Sequence, residues 1–166
     1  MDIFGELPDG QPVQSVELVG GGLTARILSW GAVIQDLRLK GHGAPLVLGF
    51  ADFNAYPEHS PFFGSVPGRN VNRVRDGELV IDGKMHQLEK NFGGRHNLHG
   101  GWNGIGTRNW TFVAVAKDEA VLEIRCPDSN MGFPGNLDVR CTYRLSGKGT
   151  LSVLFEAVTD KPTVCN

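Results

Sequence analysis

The sequence has few cysteines, no long hydrophobic run and no excess of charge of one sign. Its three cysteines, Cys126, Cys141 and Cys165, are an odd number without close spacing, which argues against a disulfide framework or a zinc site. Its 16 basic and 18 acidic residues are interspersed, so there is no basic stripe of the kind that binds a nucleic-acid backbone. We therefore expect no nucleic-acid partner, and either a neutral ligand or no ligand.

Signals for secretion and for membrane insertion are also missing. The first residues, MDIFGELP, are acidic and contain a proline, unlike the basic and apolar regions of a signal peptide. No apolar stretch approaches the length of a membrane span. We expect a cytoplasmic protein without a membrane partner, in which residues 1–166 form a single domain with a substantial core.

Alternation of apolar and polar residues with period two predicts an all-β fold of antiparallel strands. Asp82 and Gly83 can adopt the positive φ values of a tight hairpin turn. The segment 24–39 is predicted to form two strands that are bent or bulged at Gly31. Strands at this spacing predict a sandwich or a barrel-like pair of sheets. Hairpins are predicted over residues 78–88, 110–125 and 137–158.

Two long irregular segments, residues 49–71 and 91–109, separate these strands and carry many aromatic and ionisable residues. We interpret both as functional loops. The stretch PFFGSVPGRNVNRV (61–74) contains Arg69 and Arg73, whose planar donor groups suit the hydroxyls of a sugar. The alternative is that both arginines only satisfy carboxylates or loop carbonyls.

The stretch GGRHNLHGGW (93–102) has two histidines, His96 and His99, between pairs of glycines. Residues three apart point to opposite faces of a strand, and the glycines disfavour a helix that would bring them together. We therefore predict no metal site. A histidine in this loop is interpreted as a hydrogen-bond donor or proton-transfer group, the alternative being a surface histidine in a mobile loop.

Most of the remaining aromatic and acidic candidates have structural interpretations. Trp30 and Trp110 lie in strand patterns and are predicted to be core residues, whereas Trp102 in the glycine loop is the better candidate for stacking on a sugar ring. Asp128 lies in a Pro-, Gly- and Asn-rich stretch of two tight turns. We expect its carboxylate to cap backbone amides and not to act in catalysis.

Five motifs follow one another along the chain, and they are ILSWGA (27–32), VLGF (47–50), PFFG with GRNVNRV (61–64 and 68–74), NLHGG (97–101) and GFPGNL (132–137). In order and spacing they resemble the aldose 1-epimerase family, whose members include galactose mutarotases. The similarity covers nearly the whole chain. The resemblance implies a large antiparallel β-sandwich of the galactose mutarotase type, of which this chain would form the N-terminal portion.

The resemblance also implies an activity and a site. Family members interconvert the α and β anomers of an aldohexose such as galactose or glucose without a cofactor. A general base takes the proton of the anomeric hydroxyl while a general acid protonates the ring oxygen. The matching positions imply that Asn72 and Arg73 bind sugar hydroxyls, and that His99 lies beside the sugar as a binding and assisting catalytic group.

The sequence departs from the family pattern at its end. In the family, a strand like residues 157–166 continues into a His-Ser/Thr-Tyr-Phe-Asn segment carrying the general acid, and a glutamate farther downstream is the general base. Residues 1–166 contain neither, so the chain is expected to be truncated at its C-terminal end and inactive alone. It is interpreted as a segment of a working epimerase, as a non-catalytic sugar-binding module, or as a half-sandwich that associates through an open sheet edge.

Overall fold

The structure, a computed structural model, describes residues 1–166 and consists mainly of antiparallel strands. One short α-helix, α1 (Ala55–His59), interrupts the first long loop. No helix in the structure is long and apolar enough to cross a membrane. The strands are β1 (Asp2–Glu6), β2 (Pro12–Gly20), β3 (Leu23–Leu28), β4 (Ile34–Leu39), β5 (Arg73–Val74), β6 (Glu78–Ile81), β7 (Lys84–Gln87), β8 (Asn97–Leu98), β9 (Thr111–Val115), β10 (Glu119–Cys126), β11 (Leu137–Ser146) and β12 (Thr150–Thr159).

Two four-stranded sheets form the body of the molecule, with strand orders β1-β2-β3-β4 and β12-β11-β10-β9. Strand β11 illustrates why the sequence folds in this way, because each second side chain is buried while those between them face outward. Its outward side chains form cross-strand ion pairs with β10, namely Arg140 with Glu123, Arg125 with Asp138, and Arg144 with Glu119.

The inward faces of the two sheets share one hydrophobic core. The buried hydroxyl of Tyr143 on β11 donates a hydrogen bond to the carbonyl of Ala32 at 2.7 Å, which ties the second sheet to the β3–β4 turn. The core residues are Val16, Leu18, Leu23, Ala25, Ile27, Ala32, Leu37, Ile105, Trp110, Ala120, Leu122, Ile124, Cys126, Leu137, Val139, Cys141, Tyr143 and Leu145.

A second, aromatic cluster holds the first long loop against the first sheet. Tyr56 of α1 is fully buried beside Trp30, whose ring centroid lies 5.8 Å away, and Phe53 meets the same indole edge-on at 5.5 Å. Phe50 donates its backbone N–H to the Tyr56 hydroxyl at 3.2 Å. The aromatic residues of this loop therefore anchor it to the sheet.

The structure confirms the three hairpins and shows how the segment 24–39 is joined. Asp82 and Gly83 both have positive φ in the β6–β7 turn, as predicted. Strands β3 and β4 pair with each other, so the chain reverses in a turn through Gly31 and Ala32, both with positive φ, and does not simply bend there. Helix α1 was not predicted, and neither was the pairing of β1 with β2.

Strand β12 forms one edge of the second sheet and is exposed along nearly its whole length. One face of this strand and residues 64–69 line a cavity of about 700 Å³. Strand β12 exposes four large apolar side chains, which are Val153, Leu154, Phe155 and Val158.

Candidate functional site

The short strands β5 and β8 bring the two loop motifs together. They pair antiparallel, with Arg73 opposite Leu98. One residue farther along, the backbone N–H of His99 donates to the carbonyl of Asn72 at 3.0 Å, and the N–H of Asn72 donates to His99 Nδ1 at 3.1 Å. Asn72, Arg73 and His99 therefore form one structural unit, which we call the donor turn.

Arg73 is exposed and is held by neighbours within the two loops. Its Nη1 donates to the side-chain oxygen of Asn72 at 3.0 Å. The guanidinium carbon lies 4.2 Å from the centroid of the Phe92 ring, which is a cation–π contact. These two contacts use one face and one nitrogen of the guanidinium, so other N–H groups remain available to a ligand.

His99 is half-buried, and its imidazole lies 4.5 Å, centroid to centroid, from the ring of Phe62. Burial lowers the pKa of His99 below its ordinary value, and the positive charge of Arg73 lowers this pKa further. The imidazole is therefore uncharged at neutral pH.

Close backbone packing fixes the glycine loop that carries His99. Gly100 has φ of +85°, and a Cβ atom on it would lie 1.8 Å from the carbonyl oxygen of Gly68. The group that approaches this glycine is thus the chain's own backbone. The side chain of Asn91 also pairs with both backbone groups of Leu98, at 2.7 and 2.9 Å, which holds β8 in place.

Arg69 has a different environment, although it lies in the same motif as Arg73. It is 2% exposed, and its guanidinium carbon lies 5.9 Å from the centroid of the Phe133 ring. Burial lowers the pKa of Arg69, but an arginine side chain remains protonated. The acceptors of Nη1 are Pro134 O at 2.9 Å and Thr163 Oγ1 at 3.3 Å; those of Nη2 are Pro127 O at 3.0 Å and Cys126 O at 3.2 Å.

We call Arg69 with these four acceptors the Arg69 clamp. It joins the 68–71 turn to the end of β10, to the loop after it and to the C-terminal segment. The interpretation of an arginine that satisfies loop carbonyls therefore holds for Arg69, which belongs to the scaffold and not to the donor turn.

The other candidate residues fall outside the donor turn. His96 Nδ1 accepts the backbone N–H of Asp76 at 3.0 Å. Trp102 is 69% exposed. Trp30 and Trp110 are buried, as predicted. No group of three or more His, Cys, Asp or Glu side chains is arranged to hold a metal ion.

Asp128 caps a turn, as predicted. Its carboxylate accepts the backbone N–H of Gly135 and pairs with Lys161 at 2.6 Å. The hydrogen bond from Lys161 and the one from Gly135 lower the pKa of Asp128. A carboxylate held in this way has a structural role.

The C-terminal residue lies beside the donor turn. The backbone N–H of Asn166 donates to the carbonyl of Arg69 at 3.0 Å, and its side-chain oxygen accepts the N–H of Val71 at 3.1 Å. Sequence reasoning did not identify this contact, nor the roles of Phe62 and Phe92. The only signal in the sequence was the high density of aromatic residues in both loops.

Comparison with solved structures defines the class of fold. The chain superposes on an aldose epimerase homologue from C. elegans with a TM-score of 0.84 at 31% identity, covering 91% of this chain and 47% of the other. It superposes on galactose 1-epimerase from Lactobacillus acidophilus NCFM with a TM-score of 0.83 at 30% identity, covering 97% and 48%. The molecule is thus an antiparallel β-sandwich of the galactose mutarotase-like class.

Sequence comparison then gives the family. The aldose 1-epimerase family model matches residues 14–166, and the chain belongs to this family. It is 37% identical to human galactose mutarotase over an alignment 168 positions long, which covers 99% of this chain and 48% of that protein. It therefore spans about half the length of the curated relatives that it matches.

Proposed function

We propose that this chain carries part of the sugar-binding site of an aldose 1-epimerase, which interconverts the α and β anomers of an aldohexose such as galactose or glucose. The observation that carries the proposal is the donor turn, where an exposed guanidinium and a half-buried imidazole both hydrogen-bond to Asn72. Family membership supports the reaction type. The reaction needs no cofactor, since the C1–O5 ring bond opens and re-forms with proton transfers and without any change of oxidation state.

The three residues of the donor turn have complementary roles in this proposal. Arg73 offers several N–H groups in fixed directions, which suits neighbouring hydroxyls on a pyranose ring. Asn72 uses its side-chain oxygen for Arg73, and its Nδ2 makes no hydrogen bond within the chain, so this group is free to donate to a sugar. His99 adds a hydrogen bond and assists catalysis from beside the sugar.

Ring opening by acid–base catalysis needs two proton-transfer groups. Of the side chains in the donor turn only His99 can change its protonation state, because arginine stays protonated and an amide does not titrate, so the donor turn cannot supply both groups. We therefore propose that residues beyond 1–166 supply the general acid and the general base, and that residues 1–166 alone bind sugar without accelerating anomer exchange. The contact of Asn166 with Arg69 and Val71 supports this, because a segment following it would enter beside the donor turn.

A second candidate function is a non-catalytic carbohydrate-binding module. It is supported by the same single titratable group in the donor turn, which suffices for binding but not for concerted proton transfer. The two candidates make the same prediction for residues 1–166 and differ only in what a longer protein would do.

The test is to titrate residues 1–166 with galactose, followed by NMR, and to record the optical rotation of freshly dissolved α-galactose. We expect saturable binding and an unchanged rate of anomer exchange. Galactitol, which has similar hydroxyls but no ring, serves as the control ligand and should bind more weakly. Absence of galactose binding would contradict both candidates, and acceleration by residues 1–166 would contradict the assignment of the proton-transfer groups.

We also propose that residues 1–166 self-associate through the open edge of β12, pairing with β12 of a second copy. An unpaired ten-residue edge strand with exposed apolar side chains is prone to such pairing. Size-exclusion chromatography should show a dimer or larger species, and Phe155→Lys should shift it towards the monomer. A monomeric wild-type chain at high concentration would refute this proposal.

A cytoplasmic setting is a further proposal. It is supported by the three free cysteines, of which Cys126 and Cys141 are buried without a disulfide partner.

A further inference from the structure

Asn72 contacts both other members of the donor turn through three separate groups. Its backbone N–H donates to His99 Nδ1 at 3.1 Å, and its backbone carbonyl accepts the N–H of His99 at 3.0 Å. Its side-chain oxygen accepts Nη1 of Arg73 at 3.0 Å. Asn72 has φ of +63° and His99 has φ of +52°, so both residues occupy the left-handed region that permits this reciprocal arrangement.

The contact at Nδ1 determines where the imidazole proton lies. An imidazole nitrogen that accepts a hydrogen bond carries no proton, so the proton of neutral His99 must be on Nε2. A proton on Nδ1 would face the N–H of Asn72, and two donors would then oppose each other. The backbone of Asn72 thus selects one tautomer of His99.

We propose that Asn72 is the positioning residue of this site, fixing the proton of His99 on Nε2 and holding Arg73 through its side-chain oxygen, so that both groups present N–H donors to sugar oxygens. This inference rests on the proposed function. It deepens that function by assigning His99 a hydrogen-bond donor role: with Nδ1 occupied and Nε2 protonated, neutral His99 has no free lone pair with which to take a proton from a hydroxyl.

Because Arg73 and His99 offer only hydrogen-bond donors, they also determine which ligand atoms and which ligand charge the site can accept. Arg73 carries a positive charge and His99 offers an N–H group, so the matching ligand atoms are lone pairs of hydroxyl and ring oxygens. Arg73 is also the charged group that acts on His99, and it opposes a second positive charge on the imidazole. The site therefore suits a neutral sugar better than a protonated amino sugar.

The direct test is nitrogen-15 NMR of the histidine side chains in residues 1–166 at pH 7.5, without sugar. We expect His99 as a single tautomer, with an unprotonated Nδ1 and a protonated Nε2. His42 is exposed and makes no side-chain hydrogen bond, so it provides the reference for an unconstrained mixture of tautomers. A mixture at His99 resembling that of His42, or a proton on Nδ1, would overturn the inference.

Two glycine variants separate the backbone of Asn72 from its side chain. Asn72→Gly keeps the N–H and tolerates the positive φ, so the tautomer of His99 should not change. Galactose should bind about three- to tenfold more weakly, the effect of one lost hydrogen bond. Asn70→Gly is the matched control, because the Asn70 side chain donates only to Val71, and it should leave affinity within about twofold.

The outcomes distinguish this inference from the proposed function. A change of tautomer in Asn72→Gly would refute the backbone role, and unchanged affinity would refute the side-chain role. If the wild-type chain does not bind galactose, the proposed function fails, while the tautomer measurement still decides whether Asn72 positions His99.

Discussion

The Arg69 clamp and the donor turn show how two arginines in one motif acquire different roles. Arg69 is buried, and its terminal nitrogens are filled by four acceptors, two of them in residues 126–127 and two in Pro134 and Thr163. Arg73 is exposed, contacts only nearby loop residues and keeps free donors. A side chain of one chemical type thus serves the scaffold when both of its terminal nitrogens are filled from within the chain, and is available to a ligand when they are not.

The largest difference between the Arg69 clamp and the donor turn is expected in how much a substitution lowers the free energy of unfolding. Arg69→Ala should lower the free energy of unfolding by about 3–5 kcal/mol, because it leaves the buried carbonyl of Cys126 and three part-buried acceptors without this donor and opens a cavity. Arg73→Ala should change it by less than about 0.5 kcal/mol, as is usual at exposed positions. Urea unfolding of both variants measures the difference. Equal losses of unfolding free energy in the two variants would contradict the structural role of the Arg69 clamp.

For ligand binding, we expect the substitution of Arg73 to have a larger effect than the substitution of Arg69. Arg73→Ala should weaken galactose binding about 10- to 100-fold, since hydrogen bonds to a charged group contribute about 1.5–3 kcal/mol. Arg73→Lys keeps the charge but loses the fork of donors, so it should restore only part of the affinity. NMR titration gives each dissociation constant. If Arg73→Ala bound galactose with an affinity within about twofold of wild type, the assignment of Arg73 to the sugar-binding site would be contradicted.

The environment of His99 in the donor turn should also affect how the free energy of unfolding depends on pH. The pKa of His99 is lower in the folded state than its unfolded value of about 6.5, so the unfolded chain binds the proton more readily. The contribution of His99 is therefore complete above about pH 6.5 and is lost as the pH falls towards the lowered pKa.

His99→Asn should remove this part of the pH profile, which is measured as the difference between the unfolding free energies of variant and wild type. Arg73→Ala should raise the pKa of His99 part of the way back, because it removes the neighbouring positive charge. An NMR titration that places the pKa of His99 at or above 6.5 would contradict the environment described for it.

The smallest expected difference is in the chemical reactivity of the three cysteine thiols. Cys126, whose carbonyl belongs to the Arg69 clamp, and Cys141 are buried, and burial raises the pKa of Cys141 to about 12. Only the exposed Cys165 should react with iodoacetamide in the folded chain. Mass spectrometry counts the labels, and Arg69→Ala should increase labelling of Cys126. Equal labelling of all three thiols in the wild type would contradict the buried core.

The sequence predicted what depends on local pattern. Period-two alternation and turn residues such as Asp82 and Gly83 determine the hairpins, and the strand positions of Trp30 and Trp110 indicated burial. Helix α1 was missed because its five residues are too few for a helical period to emerge.

The roles of the arginines required long-range information. The acceptors of Arg69 lie 57 to 94 positions away along the chain, so no local pattern distinguishes it from Arg73. The stacking of Phe92 on Arg73 likewise depends on how the two loops pack. The resemblance brought Asn72, Arg73 and His99 together as a group, whereas the division of labour among them follows from their contacts.

The most direct test of the account is to follow the backbone and side-chain NMR signals of residues 1–166 while galactose is added. The account predicts that the largest shifts occur at Asn72, Arg73 and His99, and that the signals of the Arg69 guanidinium and the buried Trp110 indole change little. Shifts concentrated on the outward ion-paired face of β10 and β11, with none at Arg73 and His99, would contradict it.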